Sequence, residues 1–383
     1  MARFRSGNAI QSKIQMILFG NPFTGKSTMA LQSAYLKNPD GSPFKVLYLD
    51  PESGSVDDYL PTLAENGVDM RNILIAYTQS ITEVLEFIER AKNGEDFYIP
   101  DDDGNETDEV YLDSDGKPFR ADMIVVDGAS VLNLTTKTSI VEFSKKRAKV
   151  KAAAAGLTGD EKFVKIEGAG MELKDYQTVN FKGQELILDL MGSGKHYIVT
   201  ARETDEKITK EINGKEVTVA TGRKIPDGFK NMDYNAKTCI RMYRDEDDYT
   251  TVRAFVVKDR TGIHKAGDDI EDPSLLDYQD LIDKTSGNRE FVIKNTIHEA
   301  IKTEERKYAE EIGVEQSENE PEENTNEAEV LRDKITGMIN SLSPVLKQKA
   351  KKAVADAGLP TAMRTVSDVK VLHQILKVVQ DIG

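Results

Sequence analysis

The feature that most constrains this chain is an apolar run that leads directly into a glycine-bounded loop. Residues 14–19 read IQMILF, and GNPFTGKST follows at once. This is the pattern G-x-x-x-x-G-K-[ST], in which glycines let backbone N–H groups turn toward a phosphate. The helix that follows places its positive end on the same anion. A strand, a loop and a helix in this order predict an α/β domain that binds a nucleotide phosphate.

The loop at residues 20–28, called here the phosphate loop, provides groups for both phosphate and metal. Lys26 is placed to reach the β- and γ-phosphates, and the Ser27 hydroxyl is placed to bind Mg²⁺. The residues of this loop predicted to bind the nucleotide are Gly20, Asn21, Pro22, Phe23, Thr24, Gly25, Lys26, Ser27 and Thr28.

Further apolar runs alternate with helical stretches, which is typical of a mainly parallel sheet with helices on both faces. Antiparallel strands at a sheet edge are predicted at 238–243 and 251–257, and an acidic β-hairpin insertion near 96–119. The other predicted strands are 14–19, 45–49, 72–77, 123–126 and 196–201, and the predicted helices in this part are 27–36, 81–91 and 183–191.

Carboxylates follow two of these apolar runs. KVLYLD ends in the step Asp50-Pro51-Glu52, and ADMIVVD ends in Asp127. The carboxyl ends of parallel strands meet at one edge of a sheet, so these acids should face the crevice that receives the γ-phosphate. Glu52 is therefore predicted to polarise the attacking water, and Asp127 to hold Mg²⁺ together with Ser27.

With these motifs in place, the chain resembles the RecA superfamily of P-loop ATPases. YLDPESGSVDDYL and ENGVDMRNILIAYTQSITEVLEFIERA are similar to the stretch of bacterial RecA between its catalytic Glu and its Walker B strand. The resemblance implies ATP hydrolysis with Mg²⁺, water activation by Glu52 and contact of the adenine by Tyr59. It also implies a γ-phosphate sensor after the HYIVTA strand, for which this sequence offers Thr200 or Arg202.

The segment VRAFVVKDRTG carries Lys258 and Arg260 at the end of an apolar strand. Alternation along a strand points both side chains the same way. RecA has Lys-x-Lys at the matching place, and DnaB-type helicases have Lys-x-Arg. In those families the pair reaches the γ-phosphate of a neighbouring subunit, so the resemblance implies a catalytic role in trans and a homo-oligomer, either a ring or a filament.

Two basic intervals lie where the resemblance places single-stranded DNA. The first, within 132–176, contains SKKRAKVK, and the second, 203–228, is predicted to form a hairpin around Asn213-Gly214. Such side chains suit phosphate contacts, although a solvated helix face or an ordinary surface hairpin explains them equally well. The predicted DNA-binding residues are Lys145, Lys146, Arg147, Lys149, Lys215, Arg223 and Lys224.

Charge and composition predict three parts in this chain of 383 residues. The net charge is −15, but residues 315–329 alone hold seven Glu and no Lys or Arg, so it is a poor guide to a local basic channel. We expect an ATPase core at 1–312, an acidic disordered linker at 313–328 and a small all-helical module at 329–383. Lysines at 347–352 make this module a candidate site for DNA or a protein partner.

The single cysteine excludes a disulfide framework and fits a reducing compartment. No apolar run reaches membrane-spanning length, and the basic N-terminus has no apolar signal segment, so we expect a cytoplasmic protein without membrane contact, in the host cytoplasm if phage-encoded.

Only about ten residues precede the first predicted strand. The chain therefore looks most like phage-encoded RecA-like ATPases that act on single-stranded DNA in recombination and strand annealing. A DnaB-type hexameric helicase and an ATP-switched assembly protein of the circadian-clock type, without DNA binding, are the alternatives.

Overall fold

The computed structural model describes residues 12–54, 56–101, 106–212, 214–284, 301, 304–305, 331–332, 334–336, 338–339, 344–360, 366 and 368–380. The predicted linker at 313–328 lies outside the described residues. The chain divides into two compact units, Met1–Asp96 with Leu112–Ala300 and Phe97–Tyr111 with Ile301–Gly383.

A large β-sheet lies in the first unit. The strands that the structure describes are, in chain order, β1 (Gln15–Gly20), β2 (Val46–Leu49), β3 (Ile73–Ala76), β4 (Tyr98–Pro100), β5 (Glu106–Val110), β6 (Met123–Asp127), β7 (His196–Ile212), β8 (Lys215–Asp227), β9 (Thr238–Arg244), β10 (Val252–Asp259) and β11 (Asp269–Glu271). Within the described residues, nine of them form one sheet in the order β11-β10-β9-β1-β7-β6-β2-β3, with β8 paired to β7.

Strands β9, β1, β7, β6, β2 and β3, named in sheet order, are all parallel to one another. Strand β10 is antiparallel to β9, β11 is antiparallel to β10, and β8 is antiparallel to β7. The predicted fold class, an α/β fold with a mainly parallel sheet and antiparallel edge strands, is confirmed. Strands β2 and β6 are buried along their whole length. Their continuous apolar sequence follows from this, because helices cover both faces of a parallel sheet.

The helices with bounds in the described residues are α1 (Lys26–Leu31), α2 (Leu60–Glu65), α3 (Ile81–Asn93), α4 (Ala129–Ala154), α5 (Gly159–Glu167), α6 (Leu173–Gly192), α7 (Met232–Asn235), α8 (Gln279–Asp283), α9 (Pro344–Asp356) and α10 (Val369–Gln380). One prediction needs correction, because the helix expected at 27–36 is not continuous. It ends at Leu31, and a 3₁₀ turn, Gln32–Tyr35, completes the segment.

The first basic interval is helical. Helix α4 runs for 26 residues directly from the end of β6, and α5 and α6 follow it. Helix α6 begins with a capping box between Glu172 and Asp175. Its Gly183 packs so closely on Phe229 that a Cβ there would lie 2.3 Å from the ring, so only glycine fits without a shift of the helix.

The second unit contains the predicted acidic hairpin and the C-terminal helices. Strands β4 and β5 pair in antiparallel fashion, which confirms the hairpin. Helices α9 and α10 lie within the predicted helical module, and Val354, Leu372 and Ile375 belong to an apolar cluster there. In the part of the chain that the structure describes, no helix is long and apolar enough to span a membrane.

Candidate nucleotide-binding site

The phosphate loop leaves the carboxyl end of β1, and two glycines make its path possible. A Cβ on Gly20 would lie 2.0 Å from the carbonyl oxygen of Met242, so no side chain fits there. Gly25 has φ +80, in the left-handed region that glycine adopts at no cost, and α1 begins at the next residue. Backbone N–H groups at the start of α1 are therefore turned toward the loop.

Lys26 lies within this loop. Its Nζ donates to the carbonyl oxygens of Gly20 at 3.1 Å and Asn21 at 2.7 Å. Burial lowers the pKa of Lys26, and the nearby carboxylates of Asp127, Glu52 and Glu203 act in the opposite direction. The ammonium group therefore lies where an incoming phosphate could replace the loop carbonyls as its partner.

Asp127 ends β6 and is held from two sides. The hydroxyl of Tyr48, on β2, donates to Oδ2 at 2.7 Å, and the hydroxyl of Thr200, on β7, donates to Oδ1. Burial raises the pKa of Tyr48 well above its usual value, and Asp127 raises it further, so the phenol stays protonated. Ser27 acts on the pKa of Tyr48 in the opposite direction, so both predicted Mg²⁺ ligands lie near this phenol.

Sequence reasoning missed Tyr48. The available signal was one polar atom within the otherwise apolar run KVLYL. A buried phenol normally has a hydrogen-bond partner, and the neighbouring strand of a parallel sheet is where a partner is expected.

Asp50 shapes the turn that carries Glu52. Its side chain is fully buried, and it accepts hydrogen bonds from the backbone N–H groups of Glu52 at 2.9 Å and Gly54 at 2.8 Å. Gly128, directly after Asp127, leaves the space that Glu52 occupies, since a Cβ on it would lie 3.0 Å from the Cγ of Glu52. The structure thus brings Glu52, Asp127 and Lys26 together at one edge of the sheet, called here the catalytic edge.

The two candidate sensors have different environments. Thr200 is buried and its hydroxyl is bonded to Asp127. Arg202 is largely exposed, and its guanidinium lies 3.4 Å from Oε1 of Glu52. Its backbone N–H donates to the Ser130 hydroxyl at 2.9 Å, which fixes the strand in front of α4. Of the two, Arg202 is the residue that could exchange its present partner, Glu52, for a γ-phosphate.

Glu203 is a second residue that sequence reasoning missed. Its side chain is only 4 % exposed, and it accepts from Arg241 Nε at 2.7 Å and from Asn21 Nδ2 at 3.0 Å. These bonds connect β7, β9 and the phosphate loop. The signal in the sequence was an acid that follows a sheet strand directly, where an uncompensated charge would be costly to bury.

Phe23 and Tyr59 are both exposed. Phe23 is 87 % exposed with φ +61, and its carbonyl oxygen accepts from Arg244 Nε at 2.8 Å, which braces the phosphate loop from β9. Tyr59 is 44 % exposed at the end of a 3₁₀ turn before α2. Neither ring is fixed by core packing, so each is available to a nucleotide base.

Lys258 and Arg260 do not lie on a regular strand end. The register of β10 against β9 shifts between Val256 and Lys258, which interrupts the alternation assumed from the sequence. Lys258 Nζ donates to the carbonyl oxygens of Asp233 and Tyr234 near α7, and burial lowers its pKa. Arg260 is exposed.

The predicted DNA-binding residues of the first interval lie on α4, in the stretch 144–151, called here the basic stretch. Lys145 pairs with Glu142 and Glu167, and Arg147 pairs with Asp175. Lys146 and Lys149 are exposed.

The predicted residues of the second interval lie on the β7–β8 hairpin. Lys224 lies 2.8 Å from Asp205, and Arg223 lies 3.7 Å from Glu206. Lys215, at the start of β8, is exposed. The hairpin itself is confirmed, although Asn213 lies outside the described residues.

No protein-family model matches the chain, and no curated protein matches it significantly. Among solved structures, a KaiC-like protein from the hyperthermophilic archaeon Pyrococcus horikoshii OT3 is similar over 68 % of this chain and 85 % of that chain. The identity is 14 % and the TM-score is 0.36. A likeness this remote adds no argument about function, which therefore rests on the geometry of the catalytic edge.

Proposed function

We propose that this protein is an ATPase of the RecA type that binds single-stranded DNA and acts in recombination or strand annealing, as phage-encoded relatives of RecA do. The observation that supports it most is the convergence of Lys26, Asp127 and Glu52 at the carboxyl ends of three parallel strands. A phosphate-binding cation, a metal-binding acid and a general base are what phosphoryl transfer to water requires.

The phosphate loop and Lys26 bind the phosphates of ATP in this proposal. Hydroxyl and carboxylate oxygens suit Mg²⁺, which takes few protein ligands and completes its shell with phosphate and water oxygens. Ser27 and Asp127 fit that role, and Tyr48 and Thr200 orient the carboxylate. The metal would supply charge neutralisation on the β- and γ-phosphates.

Glu52 accepts the proton of the attacking water. Its carboxylate is paired with Arg202. A γ-phosphate offers Arg202 a stronger partner, so its arrival leaves Glu52 free to act as the base. Arg202 is therefore our choice for the sensor, while Thr200 serves Asp127.

A neighbouring subunit completes the site. Lys258 and Arg260 stabilise the charge on the γ-phosphate of the adjacent subunit, which makes the active form an oligomer. The exposed position of Arg260 supports this assignment, and Lys258 would exchange its two carbonyl partners for the phosphate. Tyr59 contacts the adenine.

The decisive experiment is steady-state ATP hydrolysis with and without single-stranded DNA, at low and moderate salt, with oligomer size measured in parallel. Glu52→Gln should abolish turnover, whereas Glu65→Gln, an exposed acid on α2, should leave it unchanged. Stimulation by DNA that fades with salt supports the proposal. Turnover and oligomer size that both ignore DNA would contradict it and favour a protein-partnered ATP switch.

A further inference from the structure

A cavity of about 370 Å³ lies between the β7–β8 hairpin and strands β9 and β10, and Arg223, Lys224, Arg241 and Phe255 line it. We propose that this cavity binds one nucleotide unit of single-stranded DNA, with the base on the ring of Phe255 and the phosphate at Arg223 and Lys224. The inference rests on the proposed DNA binding and gives it a location that includes β10.

Phe255 supplies the platform for the base. On β10 it alternates with the buried residues Ala254 and Val256, and its own ring is 40 % exposed. It therefore lies on the face of the strand opposite the core. Exposed aromatic rings beside cationic side chains are the means by which proteins hold single strands without reading their sequence, because every base has a face that stacks.

The phosphate position is defined by two exposed cations. Arg223 lies 3.7 Å from Glu206 and Lys224 lies 2.8 Å from Asp205, and all four side chains are open to water. Ion pairs of this kind contribute little to stability, so a phosphate can replace the acid as partner at little cost. The two acids keep this surface from binding anions in general, and stacking on Phe255 supplies the selectivity for a nucleotide.

Arg241 lines one side of the cavity and is held in place by hydrogen bonds to Glu203. It lies opposite Phe255 in the β9–β10 pairing, and its guanidinium lies 5.2 Å from the centre of the Tyr243 ring. The buried carboxylate of Glu203 accepts from both Nε and Nη2 of Arg241, and Glu203 also bonds Asn21 of the phosphate loop. A DNA strand bound in the cavity would therefore contact Arg241. Two hydrogen bonds, through Glu203, connect Arg241 to Asn21 in the phosphate loop.

The size of the cavity favours single-stranded DNA over duplex. Its volume is at the lower end of the range for small-ligand sites and suits one nucleotide. A base within a duplex is stacked on both faces and paired along one edge, so it cannot lie on the ring without being unstacked, which costs free energy.

The test uses the full-length protein and a fluorescein-labelled oligodeoxythymidylate of about 20 nucleotides, with anisotropy measured over a range of salt concentrations. Phe255→Leu should weaken binding by about 5- to 100-fold without changing the salt dependence, and Phe255→Trp should retain binding. Arg223→Ala should lower the slope of log affinity against log salt by about 0.7.

The control is Tyr249→Leu, which removes a more exposed ring from the β9–β10 turn and should leave binding unchanged. All variants should keep the melting temperature of the wild type, and Tyr249→Leu should also keep its DNA-free ATPase rate. Wild-type binding with no loss in either Phe255→Leu or Arg223→Ala would overturn the cavity and leave the proposed function intact. A wild-type protein that hydrolyses ATP and does not bind the oligonucleotide would overturn both the cavity and the DNA-binding part of the function.

Discussion

The catalytic edge and the basic stretch of α4 were both predicted from charged residues, but the structure uses those charges differently. At the catalytic edge, Lys26, Glu52 and Asp127 lie at or just beyond the carboxyl ends of three separate strands and are close to one another. In the basic stretch, Lys145 and Arg147 already have acidic partners on α5 and α6. Charges that converge on an open crevice are available for chemistry, whereas charges that are neutralised by the next helices hold those helices together.

The difference comes from what determines each position. A parallel sheet brings the carboxyl ends of its strands to one edge, so the location of an acid that directly follows a strand is set by that strand alone. A run of lysines on a helix has no such constraint, because its partners depend on how the following segments pack.

The largest expected effect comes from removing the cation of the catalytic edge. Lys26→Ala should reduce ATP hydrolysis by about 10³-fold, because no other side chain in the phosphate loop carries positive charge. Measurement of kcat and of ATP affinity tests this, with Lys37→Ala, an exposed lysine beyond α1, as the control. A variant that retained a tenth of the wild-type rate would contradict the assignment.

The next prediction compares the buried hydroxyls of Tyr48 and Tyr197, of which only that of Tyr48 bonds to Asp127. Tyr48→Phe removes the hydrogen bond to Asp127 and should weaken Mg²⁺-dependent turnover by about 10-fold, as loss of an outer-shell partner does. Tyr197→Phe is the matched control, because its buried hydroxyl has no hydrogen-bond partner among the described residues. It should leave activity unchanged and leave stability equal or higher.

The readout for this pair is the Mg²⁺ concentration at half-maximal activity. Tyr48→Phe should raise that concentration, and Tyr197→Phe should not. Equal behaviour of the two variants would mean that Tyr48 does not orient Asp127.

The basic stretch should respond in stability and not in chemistry. Arg147→Ala leaves the carboxylate of Asp175 in a buried position without its guanidinium, and the melting temperature should fall by several degrees. Arg147 lowers the pKa of Asp175, so its stabilisation is present at neutral pH and is lost as the pH falls through that lowered value. The difference in melting temperature between wild type and variant should therefore shrink in acid.

Lys146→Ala is the control for this prediction, because Lys146 is exposed on the same helix. A melting temperature that falls equally in both variants would mean that the loss of helix charge, and not the Arg147–Asp175 pair, determines stability.

The smallest expected effect concerns DNA. Lys146→Ala combined with Lys149→Ala should weaken binding of single-stranded DNA by a few-fold and lower its salt slope by at most about 1.4, because each exposed cation can contribute one phosphate contact. An unchanged slope would mean that the basic stretch serves only the packing of α4, and that the DNA contacts lie at the β7–β8 hairpin.

Much of the catalytic edge was predictable from the sequence because its motifs lie at strand ends. The strands, their mainly parallel arrangement and the phosphate loop follow from apolar runs and glycines at known spacing. Tyr48 and Glu203 were not predictable in the same way. Each acts through a partner on a strand that is far away in the sequence, so its role depends on strand order, which residue spacing does not provide.

In the basic stretch, too, the sequence shows the charged residues but not their partners. Its positive charge is evident in the sequence, but Glu167 and Asp175 lie 22 and 28 residues beyond the lysine and arginine that they neutralise. The length and helical form of this interval decide which charges remain accessible.

Strand β7 has a consequence for how such a protein can change over time. It continues without interruption for 17 residues, from the interior of the sheet past Arg202 and Glu203 into the hairpin. Side chains alternate along a strand, so the deletion of one residue between Glu203 and the hairpin would turn every later side chain to the opposite surface. Substitutions at the tip of the β7–β8 hairpin are therefore tolerable, whereas insertions and deletions just after Glu203 should be rare among functional variants.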